Sequence, residues 1–246
     1  MKLIEMKGIH KSFFDVKKET KVLENLDLFL DKGEKIAIVG PSGCGKSTIL
    51  NIISKLITPD SGNVDVFANV GYMFQSDNLL EWRTVYKNIT LGLEIKGKVT
   101  KKDKEKIEEL LRKYGLIEFK DKHPSELSGG MRQRVALIRT LVLDPDILLL
   151  DEPFSALDEQ TKLLVNEDIY KIVCDVKKSV IMVTHDIAEA IAFSDRVLVL
   201  TKRPSSVKKI YEISFENLRN RTPLNTRNQK EFKEYFDSIW RDLNEC

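Results

Sequence analysis

The sequence predicts an α/β fold: a parallel-sheet core, a short antiparallel β piece ahead of it, and a helical segment inserted within it. Three observations carry this. Four short apolar runs, residues 36–39, 147–150, 180–183 and 197–200, are bounded by turn residues and lack polar alternation, so each reads as a strand buried on both faces. Amphipathic helical patterns lie between them, and strands alternating with helices form parallel sheets. Residues from about 80 to 128 carry helical pattern and no strong strand, which marks the insertion.

In chain order, LIEMKGI and VLENLDLFLDKGE alternate like half-exposed strands, with Gly33 as turn residue. The run IAIV leads into GPSGCGKST and then a helical pattern, KSTILNIISKL. After the insertion, Ser128, Gly129 and Gly130 precede a helix with Val135, Leu137, Ile138, Leu141 and Val142 at apolar positions. The strand ILLL ends in Asp151 and Glu152. A long helix, DEQTKLLVNEDIYKIV, then leads to the strand VIMV, a helix DIAEAIAF capped by Asp186, and the strand VLVL. Residues 1–204 are expected to form the functional unit. Residues 205–246 read as an extension with one strand (KKIYEISF) and one amphipathic helix (NQKEFKEYFDSIW).

The chain has 246 residues, 42% of them hydrophobic, enough for one sizeable core with a smaller subdomain attached. Its net charge is +2, so no global field favours nucleic acid or an anionic membrane. The basic run 96–106 leads into an amphipathic helix and reads as a solvated face. Cys44, Cys174 and Cys246 are scattered without disulfide or zinc spacing, which fits a reducing compartment. The amino terminus has no signal-peptide pattern and no apolar run reaches spanning length, so a soluble intracellular protein is expected.

Residues Gly40, Pro41, Ser42, Gly43, Cys44, Gly45, Lys46, Ser47 and Thr48 match G-x-x-x-x-G-K-[ST] between a strand and a helix, the context that pattern needs. Backbone N–H groups there curl around phosphates, Lys46 neutralises the β and γ phosphates, and the Ser47 hydroxyl binds Mg²⁺. The expected core is thus a P-loop NTPase (RecA-like) sheet. An acidic pair after a strand is by itself usually a cap or turn. Beside a P-loop, Asp151 reads as a Mg²⁺ ligand and Glu152 as the base for an attacking water. His185 follows VIMVT. Its bland reading is a helix-cap region, but ligands of α/β sheets gather at the carboxyl ends of strands, where it meets a γ-phosphate. His10 and His123 lack such placement. The start of the LSGG helix is a second anion site, with free N–H groups and a positive dipole end.

The ordered set GPSGCGKS, Gln75 in YMFQ, LSGGMRQ, LLLDEP, SALD and His185 resembles the nucleotide-binding subunit of ATP-binding cassette transporters, from residue 3 to 200. The resemblance implies that residues 1–204 form a cassette ATPase with the helical subdomain, about 80–128, inserted. It implies ATP and Mg²⁺ as cofactors, Phe13 stacked on adenine with Phe14 as rival, and Gln75 touching Mg²⁺ or the water and sensing a membrane partner. Asp158 crosses a subunit interface. Two copies form a head-to-tail sandwich in which Ser128, Gly129 and Gly130 complete the partner's ATP site. Met131 in place of the commoner glutamine, Trp82 in LLEWRTV and the pair Arg203-Pro204 are similar to the nitrate, sulfonate and taurine importer group. The segment 62–72 is short for the family.

This points to the ATPase motor of an importer, peripheral on the cytoplasmic face of the membrane. Its implied partners are integral-membrane permease subunits, a second copy of itself and, indirectly, an extracytoplasmic solute-binding protein, with no nucleic acid. A soluble cassette ATPase acting on nucleic acid or ribosomes, or an exporter motor, is the alternative.

Overall fold

The computed structural model of the chain describes residues 1–15, 18–155, 158–216, 218 and 221–245. Two sheets organise it. In the first, β1 (Lys2–Asp15) pairs antiparallel with β2 (Lys18–Asp31) on one edge and with β4 (Ser61–Val66) on the other. The sequence pattern anticipates the first two strands only. The third, SGNVDV, is half-exposed throughout, so no apolar face betrays it.

The second sheet runs β5 (Val70–Met73), β6 (Ile147–Asp151), β7 (Ser179–Val183), β3 (Lys35–Val39), β8 (Arg196–Leu200) and β9 (Val207–Glu212). The first five are parallel and β9 closes the edge antiparallel. The four apolar runs are its four central strands, and their alternate residues serve two cores. Ala37, Val39, Leu148, Leu150, Val180, Met182, Val197 and Val199 face one. Ile36, Ile38, Ile147, Leu149, Ile181, Val183, Leu198 and Leu200 face the other. The second core lies under α1 (Lys46–Ile53) and the antiparallel sheet. Burying both faces is why these strands show no alternation.

The first core is covered by α4 (Gly129–Leu141), α5 (Glu159–Val176), α6 (Ile187–Phe193) and the tail helix α8 (Lys230–Asn244). The tail therefore belongs to the main body: Ile213 and Ile239 are buried, and Phe232, Tyr235 and Phe236 pack on the same core. A third apolar cluster joins α2 (Val85–Lys96) and α3 (Lys101–Lys113) to Val135 and Ile138 of α4 and to Val142 just after it. The α4 helix thus has one face on the sheet and one on the helical insertion. Its Arg132 pairs with Asp77 at 2.7 Å and Glu81 at 2.6 Å, and its Arg139 donates to the carbonyls of Asp77 and Asn78. No described helix is long and apolar enough to cross a membrane.

Candidate active site

The strand ends set the geometry. Neighbouring β6, β7 and β3 carry Asp151, His185 and the glycine-rich loop at their carboxyl ends, so topology alone brings the three together. The loop turns through Gly43 (φ 72°) and Gly45 (φ 112°), left-handed conformations that strain any L side chain. Gly40 is needed for a different reason: a Cβ there would stand 2.8 Å from the Cys44 sulfur. Cys44 is buried beneath the loop, so only its backbone can meet a ligand. Lys46 opens α1 and folds across the loop, donating to the Gly40 and Pro41 carbonyls at 3.0 and 3.2 Å.

Next along α1, the Ser47 hydroxyl donates to Asp151 at 3.1 Å. The Tyr72 hydroxyl lies 3.1 Å from the other Asp151 oxygen and 3.2 Å from Asn51 Oδ1. Burial pushes the Asp151 carboxyl above its ordinary range, and the bonds from Ser47 and Tyr72 oppose the shift. The Tyr72 phenol is also raised, by burial and then by the Asp151 charge. A hydroxyl and a carboxylate facing each other at a phosphate loop suit Mg²⁺, which takes few protein oxygens and completes its shell with phosphates and water. Among the described residues no three His, Cys, Asp or Glu side chains gather around one point.

Glu152 sits at φ 44°, an unusual conformation for a non-glycine residue, held by its N–H donating to the Val183 carbonyl at 2.9 Å. Its carboxylate meets His185 Nδ1 at 3.1 Å and accepts from Gln75 Nε2 at 3.3 Å. Gln75 also reaches the Ser155 hydroxyl at 3.4 Å. The structure therefore gathers Glu152, His185 and Gln75, whereas Gln75 bonds within this group and not to the Ser47–Asp151 pair.

A cleft of about 340 Å³ is lined by Phe13, Val22, Ser42, Gly43, Gly45, Lys46, Ser47, Thr48, Glu152 and Arg203. Phe13 lines it and Phe14 does not, which favours Phe13 as the ring for a base. Val22 and Arg203 are additions to the sequence-derived set, as are Tyr72 and Asn51 behind Asp151. Tyr72 stands in YMFQ and Arg203 in the Arg203-Pro204 pair, but neither pattern assigns them to the nucleotide, and only contact reveals all four at the site. A cavity of similar size, 380 Å³, lies between α3 and α5, but Lys113, Arg134 and Lys171 in its wall are already paired with acidic neighbours.

The remaining candidates lie elsewhere. Ser128 caps α4, accepting from the Met131 N–H at 3.4 Å, and Ser128 and Gly129 are exposed. Gly130 is buried, where a Cβ would come within 2.7 Å of Val165. Asp158 caps α5 through the Thr161 N–H at 3.0 Å and is exposed. Ala156 and Leu157 of SALD lie outside the described residues. None of Ser128, Gly129, Gly130 or Asp158 lines the cleft. Behind the site, buried Lys162 of α5 bridges Asp186 at 3.1 Å and Glu189 at 2.9 Å. This joins the helix that begins after Asp158 to the helix that begins after His185.

Known proteins match this arrangement. Residues 23–155 match the ABC transporter family. The chain is 40% identical to the ABC transporter ATP-binding protein YtlC of Bacillus subtilis, over 99% of this chain and 96% of that protein. It is 37% identical to the nitrate import ATP-binding protein NrtD of Synechocystis, over 96% and 93%. Relatives from Bacillus cereus and Roseobacter denitrificans, 37% and 39% identical, are an aliphatic sulfonates and a taurine import ATP-binding protein. They span 89% and 80% of this chain, and 89% and 77% of their own lengths. A dimeric ATP-binding cassette in a post-hydrolysis state bound to ADP and Pi superimposes with a TM-score of 0.74 at 32% identity, over 86% of this chain and 99% of that one. With its glycine loop, acidic strand end and two-faced signature helix in this arrangement, the chain belongs to the ABC transporter family as an ATP-binding ATPase cassette.

Proposed function

We propose that this chain is the motor of an importer: two copies close head to tail on two ATP molecules, and hydrolysis reopens them. One observation carries the reading. The P-loop cleft gathers Lys46, Ser47 and Glu152, while the exposed helix start at Ser128 and Gly129 lines no part of it. A helix start with free N–H groups is an anion site without an anion of its own. A second copy supplies that anion, as the γ-phosphate on its own P-loop. The superimposable cassette is itself dimeric, which supports association of two copies.

Within each cleft, Phe13 stacks on the base, the loop N–H groups hold the phosphates, and Lys46 exchanges its two carbonyl acceptors for phosphate oxygens. Ser47 and Asp151 hold Mg²⁺, which neutralises charge on the phosphates. Glu152 takes a proton from the attacking water; Gln75 and His185 hold that carboxylate in place and sense the γ-phosphate. Asp158 crosses to the partner. After hydrolysis the γ-phosphate no longer bridges the two copies, and the pair loosens.

The outer partner is a membrane permease, with the chain peripheral on the cytoplasmic face. Trp82 and Phe74, 76% and 43% exposed, flank the segment after Gln75 and offer an apolar landing point linked to the site. A small anion such as nitrate, a sulfonate or taurine is the cargo, as for the named relatives, delivered by an extracytoplasmic binding protein that does not touch this chain. No role in nucleic-acid binding is assigned, given the balanced net charge of +2.

Glu152→Gln tests the closure step. With excess MgATP it should lose turnover at least about 100-fold and run as a dimer in light scattering, whereas the nucleotide-free protein stays monomeric. A variant that stays monomeric would sink the sandwich, and copurification with soluble partners in place of a polytopic membrane protein would sink the importer.

A further inference from the structure

Arg203 is a cation in the wall of the nucleotide cleft to which none of the motifs assigns a role there. It follows β8 in a loop fastened to β2. The Ser205 N–H donates to the Val22 carbonyl at 2.8 Å, the Glu24 N–H donates to the Ser205 carbonyl at 3.0 Å, and Ser205 is fully buried. Within the loop, the Ser206 N–H donates to the Thr201 hydroxyl at 3.0 Å and the Thr201 N–H to the Ser206 carbonyl at 3.1 Å. The backbone on both sides of Arg203 is thus held, while its side chain is exposed on the cleft wall.

Its guanidinium is also free. Arg132 pairs with Asp77 and Glu81, and Arg196 with Glu34, but among the described residues no acceptor takes Arg203 in a hydrogen bond or ion pair. An unused guanidinium at the surface is ordinarily just solvated. Here it stands on a fastened loop in the wall of a cleft made for an anion, and its charge reaches the P-loop. Burial pushes the Cys44 thiol up, and Lys46 and Arg203 both pull it back.

We propose that Arg203 is a nucleotide-binding residue whose guanidinium pairs with the α- and β-phosphates, the part common to ADP and ATP. The fastening decides which end it serves. Glu152, with Gln75 and His185, marks the γ end of the cleft. The Arg203 loop is tied to Val22, which shares the cleft wall with Phe13 at the base end. A planar fork of N–H donors takes two phosphate oxygens at once, and that geometry is lost if a lysine replaces it. The inference rests on the reading that this cleft holds ATP.

The test is titration calorimetry of ADP and of ATP with the wild type, Arg203→Ala, Arg203→Lys and Lys46→Ala, together with ATP turnover. Arg203→Ala should weaken ADP and ATP alike by about 10-fold, raise KM, and leave kcat within about twofold. Arg203→Lys should recover part of the loss. Melting of the nucleotide-free variants should stay within about 2 °C of the wild type, since the side chain has no hydrogen-bond or ion-pair partner among the described residues. Unchanged affinity for ADP, a loss confined to ATP, or a fall in kcat at saturation overturns the proposal. If Lys46→Ala loses binding while the Arg203 variants match the wild type, only this inference fails. A wild type that binds neither nucleotide defeats the site reading and the inference together.

Discussion

The two regions that the proposed sandwich assigns to phosphate differ in how much of each this chain builds itself. At the P-loop the functional groups are pre-arranged by internal partners: Lys46 on two carbonyls, Ser47 and Tyr72 on Asp151, Gln75 and His185 on Glu152. At the α4 start Ser128 caps the helix and Gly130 is buried against Val165, while Ser128 and Gly129 face solvent. In the proposed sandwich the first site binds alone and the second takes a nucleotide carried by another copy, so turnover would depend on association and ATP would report whether two copies are closed.

The sharpest way to break the comparison is to disable each half separately. Lys46→Ala removes the lysine proposed to meet the β and γ phosphates and should weaken ATP binding at least about 100-fold by calorimetry. Ser128→Arg puts a bulky cation at the exposed helix start. It should leave ATP binding by the monomer within about twofold while turnover falls about 100-fold. If Ser128→Arg weakens binding to the isolated chain, the two sites are not divided between copies.

A smaller effect is expected at the link behind them. Lys162→Met leaves Asp186 and Glu189 facing each other without their cation. Burial already pushes the Glu189 carboxyl up, with Thr184 and Lys162 opposing. Removing one member of a buried ion cluster costs about 3 kcal/mol, measurable by urea denaturation. Because Asp186 caps α6 directly after His185, kcat should fall with stability, and Lys162→Arg should restore both. Loss of stability with an unchanged kcat would make Lys162 structural only.

Much of this was legible in the sequence, for physical reasons. A strand buried on both faces must be apolar at every position, so residues 36–39, 147–150, 180–183 and 197–200 announced the sheet centre. The edge strands β4 and β5 are short or half-exposed and left no such mark. Of the site, the phosphate loop was readable because its backbone path needs glycine at Gly43 and Gly45. Tyr72, Val22 and Arg203 were not, because they reach the site from separate elements, and Asn51, one turn after Ser47 on α1, meets it only through Tyr72. The tail shows the same limit: its amphipathic pattern is plain, but only the packed structure reveals that Ile239 completes the main core.

The smallest expected effect concerns how the signature helix is tied to the Gln75 segment. Burial pushes the Asp77 carboxyl up, but the Arg132 guanidinium and the Leu79 N–H outweigh it and hold the acid below its ordinary value of 3.8. A carboxyl with a lowered folded pKa adds stability above its unfolded value and loses it as pH falls through the folded one. Asp77→Asn should therefore lower stability by about 1 kcal/mol at neutral pH, the range of a partly exposed pair. The gap from the wild type should close as pH drops below about 4. ATP affinity should not change, since Asp77 is not part of the cleft lining, whereas kcat should fall modestly if α4 is steered through Arg132. A stability gap that persists at acid pH would assign the tie to packing of the 77–81 segment. An altered ATP affinity would mean that the two phosphate sites are already coupled within one chain, contrary to the division argued above.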